Sequence, residues 1–194
     1  PDQDATARVG HTTVIVGAGP VGLTLAIDLA QRGQPVLLLD NGAGLSSGSR
    51  ALCFAKRTLE IWDRLGVGQA MVNKGVSWSL GRVFFKDQQV YQFDLLPEDQ
   101  HARPAFINLQ QYYCEAYLVE RALQLPLIDL RWHNRVSGLS VQADRALLTV
   151  ETPDGAYELA ADFDPWHDLK DLTESEFSQL WMDSGRVGSV WVDE

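Results

Sequence analysis

Gly17, Gly19 and Gly22 stand between the apolar run Val14-Ile15-Val16 and an apolar stretch beginning at Val21, and Asp40 closes a second apolar run, Val36-Leu37-Leu38-Leu39. These residue types at this spacing suit the holding of a dinucleotide. Gly17 lets the chain leave a strand in a tight turn. Gly19 removes a side chain so that backbone N–H groups can approach a pyrophosphate, and Gly22 lets the following helix pack close to the sheet. The pyrophosphate then rests on the partial positive charge of the helix N-terminus. Asp40, 18 residues beyond Gly22, is placed to accept hydrogen bonds from the hydroxyls of an adenosine ribose, and its charge argues against a 2′-phosphate there. The plainer alternative is a merely structural glycine turn followed by a loop acid.

Those residues need a strand, a helix and a second strand to position them. The pattern predicts a helix from Val21 to about Arg32, with Thr24, Asp28 and Gln31 on one stripe. Leu23, Leu25, Ala26, Ile27, Leu29 and Ala30 cover the rest, which describes a largely buried crossover helix ended by Gly33. After Asp40 come a Gly- and Ser-rich loop (Asn41 to Ser49), Arg50, and a predicted amphipathic helix from about Ala51 to Leu65 ended by Gly66. Ala51, Ala55, Leu59, Trp62 and Leu65 keep helical spacing, and Lys56, Glu60 and Arg64 form opposite-charge neighbours on the wet side.

Residues Ser77 to Phe93 read as strands around a turn at Lys86-Asp87-Gln88-Gln89, followed by a helix from Gln111 to about Leu123. Leu130 to Trp132, Val136 to Val141, Leu147 to Glu151 and Tyr157 to Ala160 then read as short strands, the last two joined by Pro153-Asp154-Gly155. Connections this short hold no crossover helix, so these strands are expected to be antiparallel. The expected class is α/β: a Rossmann-like βαβ unit carrying an inserted antiparallel β-meander. That element order is the layout of FAD-binding folds rather than NAD-binding ones.

The formal charge of −10 and a pI near 4.8 disfavour nucleic acid or an anionic membrane surface as a partner, since both need clustered Lys and Arg. Cys53 and Cys114 lie in helix-like apolar patterns with no His or Cys at metal-ligand spacing, so both are expected to be reduced core residues of a cytoplasmic protein, with no metal site. His11, His101, His133 and His167 share no motif and are expected to be structural or at the surface, while Tyr112, Tyr113 and Tyr117 are expected to pack. Residues Pro1 to Thr12 lack the basic-then-apolar signature of a secretory peptide, and no apolar run approaches the roughly 20 residues of a membrane span.

Three segments together are more specific than the glycine motif. They are VIVGAGPVGLTLAIDLAQRGQPVLLLD (Val14 to Asp40), SRALCFAKRTLEIWDRLGV (Ser49 to Val67) and INLQQYYCEAYL (Ile107 to Leu118). In this order they resemble the FAD-dependent monooxygenases of the aromatic-hydroxylase type, similar to phenol and hydroxyphenylpropionate hydroxylases. The resemblance covers roughly residues 10 to 162. It implies that Gly17, Gly19, Pro20, Val21 and Gly22 cradle the pyrophosphate of a non-covalent FAD and that Asp40 holds the ribose. Arg50 matches the family's arginine that reaches the cofactor, where planar donors fit phosphate oxygens. Gln111, in the Q-x-x-x-E pattern with Glu115, matches a glutamine that contacts FAD. Val136 matches a position offering backbone groups to the adenine. The duller alternatives are a solvated Arg50 and a Gln111 that merely opens its helix.

The resemblance further implies NAD(P)H as reductant and hydroxylation of a small phenolic ring with O2. No catalytic side chain can be named, because the family's later motifs have no counterpart: Ala160-Ala161-Asp162-Phe163-Asp164 leads into Pro165-Trp166-His167. The expected division is a partial FAD-binding domain over residues 1–162 and an acidic tail over 163–194 with eight acids, two bases and one short helix. In that helix Thr173 and Glu176 make a capping box, and Leu172 and Phe177 a hydrophobic staple. A final short strand is expected around Val187, Val190 and Val192. The chain is thus read as a fragment or shortened form of a hydroxylase, or as a small protein with a new end. The competing functions are a non-catalytic nucleotide-binding or interaction module and a small NAD-dependent dehydrogenase. The latter is disfavoured by the element order and the lack of a Tyr-x-x-x-Lys pair.

Overall fold

The computed structural model describes residues 9–11, 13–45, 52–98, 100–142, 145–162 and 190–192. In chain order the elements are β1 (Val9–His11), β2 (Val14–Val16), α1 (Pro20–Gln31), β3 (Val36–Leu39), β4 (Cys53–Ala55), α2 (Lys56–Leu65), α3 (Gly68–Lys74), β5 (Val76–Trp78) and β6 (Leu80–Phe85). There follow β7 (Gln88–Asp94), β8 (Phe106–Asn108), α4 (Gln111–Leu123), β9 (Ile128–Arg131), β10 (Arg135–Val141), β11 (Arg145–Thr152), β12 (Gly155–Asp162) and β13 (Val190–Val192). They fall into two compact units, one of residues 1–44 with 125–194, the other of residues 45–124.

In the first unit a parallel sheet has the order β13-β2-β3-β9. Its strands β2 and β3 are continuous apolar runs because both faces are covered, as parallel strands require. Leu23, Ala26, Ile27 and Ala30 of α1 are buried. Val14, Leu37 and Leu39 form one core with Ala146, Leu148, Val150, Leu159 and Ala161 of the second sheet, ordered β1-β12-β11-β10. Along β11 every second residue, Ala146, Leu148 and Val150, is buried, the period-two pattern of a strand wet on one face. The helix α1 stops at a Schellman pair: Gly33 at φ +83° donates its N–H to Ala30 O and Gln34 donates to Leu29 O, both at 3.0 Å.

Strands β10, β11 and β12 form the expected antiparallel meander, with Gly155 at φ +140° ending the Pro153-Asp154 turn. The segment around Leu130 departs from expectation. It is β9, which pairs parallel with β3, Leu38 opposite Leu130. The short link to β10 leads into the other sheet, so it places no antiparallel constraint on β9. Val190–Val192 adds β13 parallel to β2, whereas the capping box and staple around Thr173 lie outside the described residues.

In the second unit β4, β8 and β5 make an antiparallel sheet in the order β4-β8-β5. The helix predicted from Ala51 starts only at Lys56, since Cys53–Ala55 is strand β4, paired with Phe106–Asn108. Cross-strand pairing overrides the helical spacing there: Phe54 is buried with its ring 5.0 Å from that of Trp62. The same pairing leaves Cys53 exposed rather than in the core, and only Cys114 is buried. Gly66, left-handed at φ +87°, ends α2, and Arg121 Nε donates to the last helical carbonyl, Leu65 O, at 3.0 Å. Lys56 and Glu60 pair at 3.4 Å on the wet face. Arg103 ties the loop before β8 to α2 and α3 through both carboxylate oxygens of Asp63 and through Gln69 Oε1. The hairpin β6–β7 turns more tightly than expected, at Lys86-Asp87, and Gln88 and Gln89 already belong to β7, paired with Phe85 and Phe84. No helix among the described residues is long and apolar enough to cross a membrane.

Candidate functional site

The site is built at the exit of β2. Gly17 takes φ +102°, a left-handed conformation that favours glycine, and its N–H donates to Leu39 O at 2.8 Å, fastening the end of β2 to the end of β3. Gly19 is the N-cap of α1 with φ −75° and ψ −177°. Any residue adopts that conformation, so its glycine is not required by the backbone. Pro20 opens the helix at its first position, where a missing N–H costs nothing. Val21 is exposed and Gly22 is buried. A methyl group at Gly22 would lie 2.0 Å from Gly17 O and 3.3 Å from Ile15 Cγ2, so the glycine is what lets α1 start against the turn.

The start of α1 carries no side-chain cap and no acidic residue in its first turn. The N–H groups of Val21 and Gly22 have no carbonyl to bind within the helix, and the helix dipole adds to their positive potential. A pyrophosphate fits this cradle: the bare amides of Val21 and Gly22, the close approach of Gly22 to Gly17, and no acidic side chain in the first turn of α1.

Asp40 lies at the same corner. Its Oδ2 accepts from the Ala18 N–H and its Oδ1 from the Gly42 N–H, both at 2.7 Å. A carboxylate has about four acceptor positions. Those two bonds leave room for ribose hydroxyls while fixing the group's direction. The Asp40 backbone is held equally firmly, its N–H donating to Arg131 O at 3.0 Å and its carbonyl accepting from Asn134 N–H at 2.8 Å.

Of the other residues singled out in the sequence, Val136 lies in the same unit, on β10, the edge strand of its sheet. Its side chain packs against the core, and edge position leaves half of the strand's backbone groups unpaired by β11. Gln111 belongs to the second unit, where it opens α4 and donates from Nε2 to Glu115 Oε1 at 2.7 Å, the buried acid of the Q-x-x-x-E pattern. Arg50 lies outside the described residues. The neighbouring Tyr112 and Tyr113 pack ring to ring at 4.4 Å, with the Lys74 ammonium 4.4 Å above Tyr113. The Tyr112 hydroxyl bond, then the Lys74 charge, holds the Tyr113 phenol below its ordinary range.

Sequence reasoning missed Gly42 and Asn134, whose N–H groups bond Asp40, and His133 and Tyr157, which bond Gly42 and Asn134 in turn. The available signal was weak: a His-Asn pair just after a strand reads as an ordinary turn.

A family model described as an FAD binding domain matches residues 11–163. The chain belongs to this FAD-binding domain family. The 6-methylpretetramide 4-monooxygenase of Streptomyces rimosus is 34% identical over 140 residues, which is 70% of this chain but 24% of that enzyme. The para-nitrophenol 4-monooxygenase of a Pseudomonas species is 29% identical over 76% of this chain and 37% of its own. Among solved structures, p-nitrophenol 4-monooxygenase from Pseudomonas putida superposes with a TM-score of 0.74 at 25% identity over 81% of this chain and 40% of that one. An anhydrotetracycline hydroxylase from Streptomyces rimosus gives 0.68 at 29% identity, covering 80% and 31%. The FAD-binding domain described here thus spans between about a quarter and two fifths of the length of these relatives.

Proposed function

We propose that this chain holds FAD non-covalently as the flavin-binding portion of a monooxygenase whose whole form hydroxylates a small phenolic compound with O2 and NAD(P)H. The supporting observation is the corner where the uncapped start of α1, the Gly17–Gly22 close approach and the carboxylate of Asp40 meet. In this reading Gly17, Gly19, Pro20, Val21 and Gly22 hold the pyrophosphate, Asp40 the ribose and the edge backbone at Val136 the adenine. By resemblance, Arg50 adds a planar guanidinium for phosphate oxygens and Gln111 a side-chain amide. Bound FAD supplies the redox chemistry. The chain's own groups bind the diphosphate through backbone amides and orient the adenosine through Asp40, whose charge disfavours a 2′-phosphate beside it. The free thiols of Cys53 and Cys114 fit a reducing cytoplasm.

The test is the colour of the purified protein. An absorbance band at about 450 nm that is released on heating is the expected behaviour of a non-covalent flavin. Gly19→Val is expected to abolish flavin retention by blocking the backbone's approach to the pyrophosphate, and unchanged flavin content in that variant refutes the assignment. A colourless protein that binds NADH points to a dehydrogenase instead. The other reading is a module that binds FAD without turning over. NADPH oxidation with a panel of phenols separates the two: consumption above background supports the enzyme, and background alone leaves the module.

A further inference from the structure

We propose that Tyr157, acting through the turn Trp132–Asn134, positions Asp40 for an adenosine ribose and so governs recognition of the ribose 2′-hydroxyl without touching the nucleotide. This rests on the reading of the Gly17–Asp40 corner as a dinucleotide site. The Tyr157 ring is partly buried against the core between the two sheets of its unit, which fixes where its hydroxyl points. That hydroxyl donates to Asn134 Oδ1 at 2.5 Å, while Asn134 Nδ2 donates to Trp132 O at 2.7 Å. With both ends of the amide engaged, the turn has one conformation.

The turn's two successive amides then grip the ribose loop from outside. His133 N–H donates to Gly42 O and Asn134 N–H to Asp40 O, both at 2.8 Å. An extended chain cannot do this, because successive N–H groups in a strand point to opposite sides. The left-handed backbone of His133, φ +56°, turns both amides toward residues 40–42. A non-glycine residue held there is strained, and the surrounding bonds keep it so. On the inner side the Asp40 carboxylate spans Ala18 N–H and Gly42 N–H. One line of hydrogen bonds therefore runs from the meander sheet to the glycine turn, with the ribose acid in its middle. Loosening its outer end frees the Asp40–Gly42 loop, and the carboxylate no longer waits in place for a hydroxyl.

The readout is the affinity ratio of ADP to 2′-deoxy-ADP, measured by calorimetry on the full chain. In the wild type the ratio is expected to be about tenfold, the scale of one hydrogen bond to a charged acceptor. Tyr157→Phe and Asn134→Ala are each expected to bring it below about threefold with pyrophosphate affinity retained. His133→Gly, which adopts the left-handed conformation freely, is expected to keep the wild-type ratio, whereas His133→Val is expected to lose it. A merely structural role for Tyr157 would lower the melting temperature and leave the ratio unchanged. A wild-type ratio in both Tyr157→Phe and Asn134→Ala overturns the proposal while leaving the dinucleotide site intact. A wild-type chain that binds neither ADP nor FAD removes the site itself, and the positioning role with it.

Discussion

Two pairs of strands in this chain both carry large apolar side chains, unbroken in β2 and β3 and interleaved with polar residues in β6 and β7, and they meet opposite environments. In β2 and β3, Val14, Leu38 and Leu39 are 0% exposed, with α1 and the antiparallel sheet supplying neighbours on both faces. In the β6–β7 hairpin, Phe84, Phe85, Val90 and Tyr91 are 58 to 66% exposed. That hairpin shields itself locally, Phe93 lying so close over Gly81 that a Cβ there would meet the ring at 2.1 Å, with Tyr91 stacked against Phe93 at 5.8 Å. A two-stranded ribbon has no interior of its own. The difference teaches that apolar content fixes neither burial nor importance. The buried pair is joined at the glycine turn by the Gly17 N–H to Leu39 O bond, just before Asp40, whereas the hairpin leaves its large side chains in water.

Substitutions can break or sharpen this contrast. The largest effect is expected at Gly22→Val, whose Cβ would collide with the Gly17 carbonyl. Overpacking against backbone is expected to cost about 3 kcal/mol or more and to remove flavin binding, read together by urea unfolding and bound-flavin absorbance. Next is Leu38→Ala in β3, fully buried, expected to cost about 2–5 kcal/mol. Denaturant midpoints check it, and a loss below about 1 kcal/mol would break the claim that this sheet holds the site rigid.

The two cysteines sharpen the same contrast between buried and exposed. Burial, then the charge of Glu115, pushes the Cys114 thiol up to about 12 from an ordinary value near 9. The folded state holds that proton more tightly than the unfolded chain does, so the contribution is complete below pH 9 and fades as pH rises from 9 to 12. Relative to Cys114→Ala, the wild type is expected to lose about 1 kcal/mol by pH 10. Equilibrium unfolding at pH 8 and pH 10 tests this, and a thiol reagent is expected to label Cys53 at once and Cys114 only on unfolding. The smallest effect is expected in the hairpin: Phe85→Ser or Tyr91→Ser is expected to change stability by less than about 0.5 kcal/mol. A cost comparable to Leu38→Ala would erase the distinction between the regions.

Much of the corner was legible because its determinants are local. Gly17, Gly22 and Asp40 act within one strand-turn-helix-strand segment, and the ends of α1 and α4 are marked by Pro20, Gly33 and Gln111. Legibility failed where a residue's partner is distant in the chain. Nothing near Cys53–Ala55 announces that Phe106–Asn108 will pair with it and convert a helical pattern into a strand. Nothing near Ile128–Arg131 announces that β3, about ninety residues earlier, will take it in parallel.

From the sequence alone came the βαβ unit, the glycine of the tight turn after β2, the acid at the strand end and the antiparallel meander, all consequences of short-range sterics and periodicity. The tertiary structure decided which cysteine is buried, which sheet receives β9, and how Tyr157 and Asn134 reach Asp40. Those outcomes depend on pairing and packing between residues far apart in the chain, and such contacts leave no mark on the local pattern.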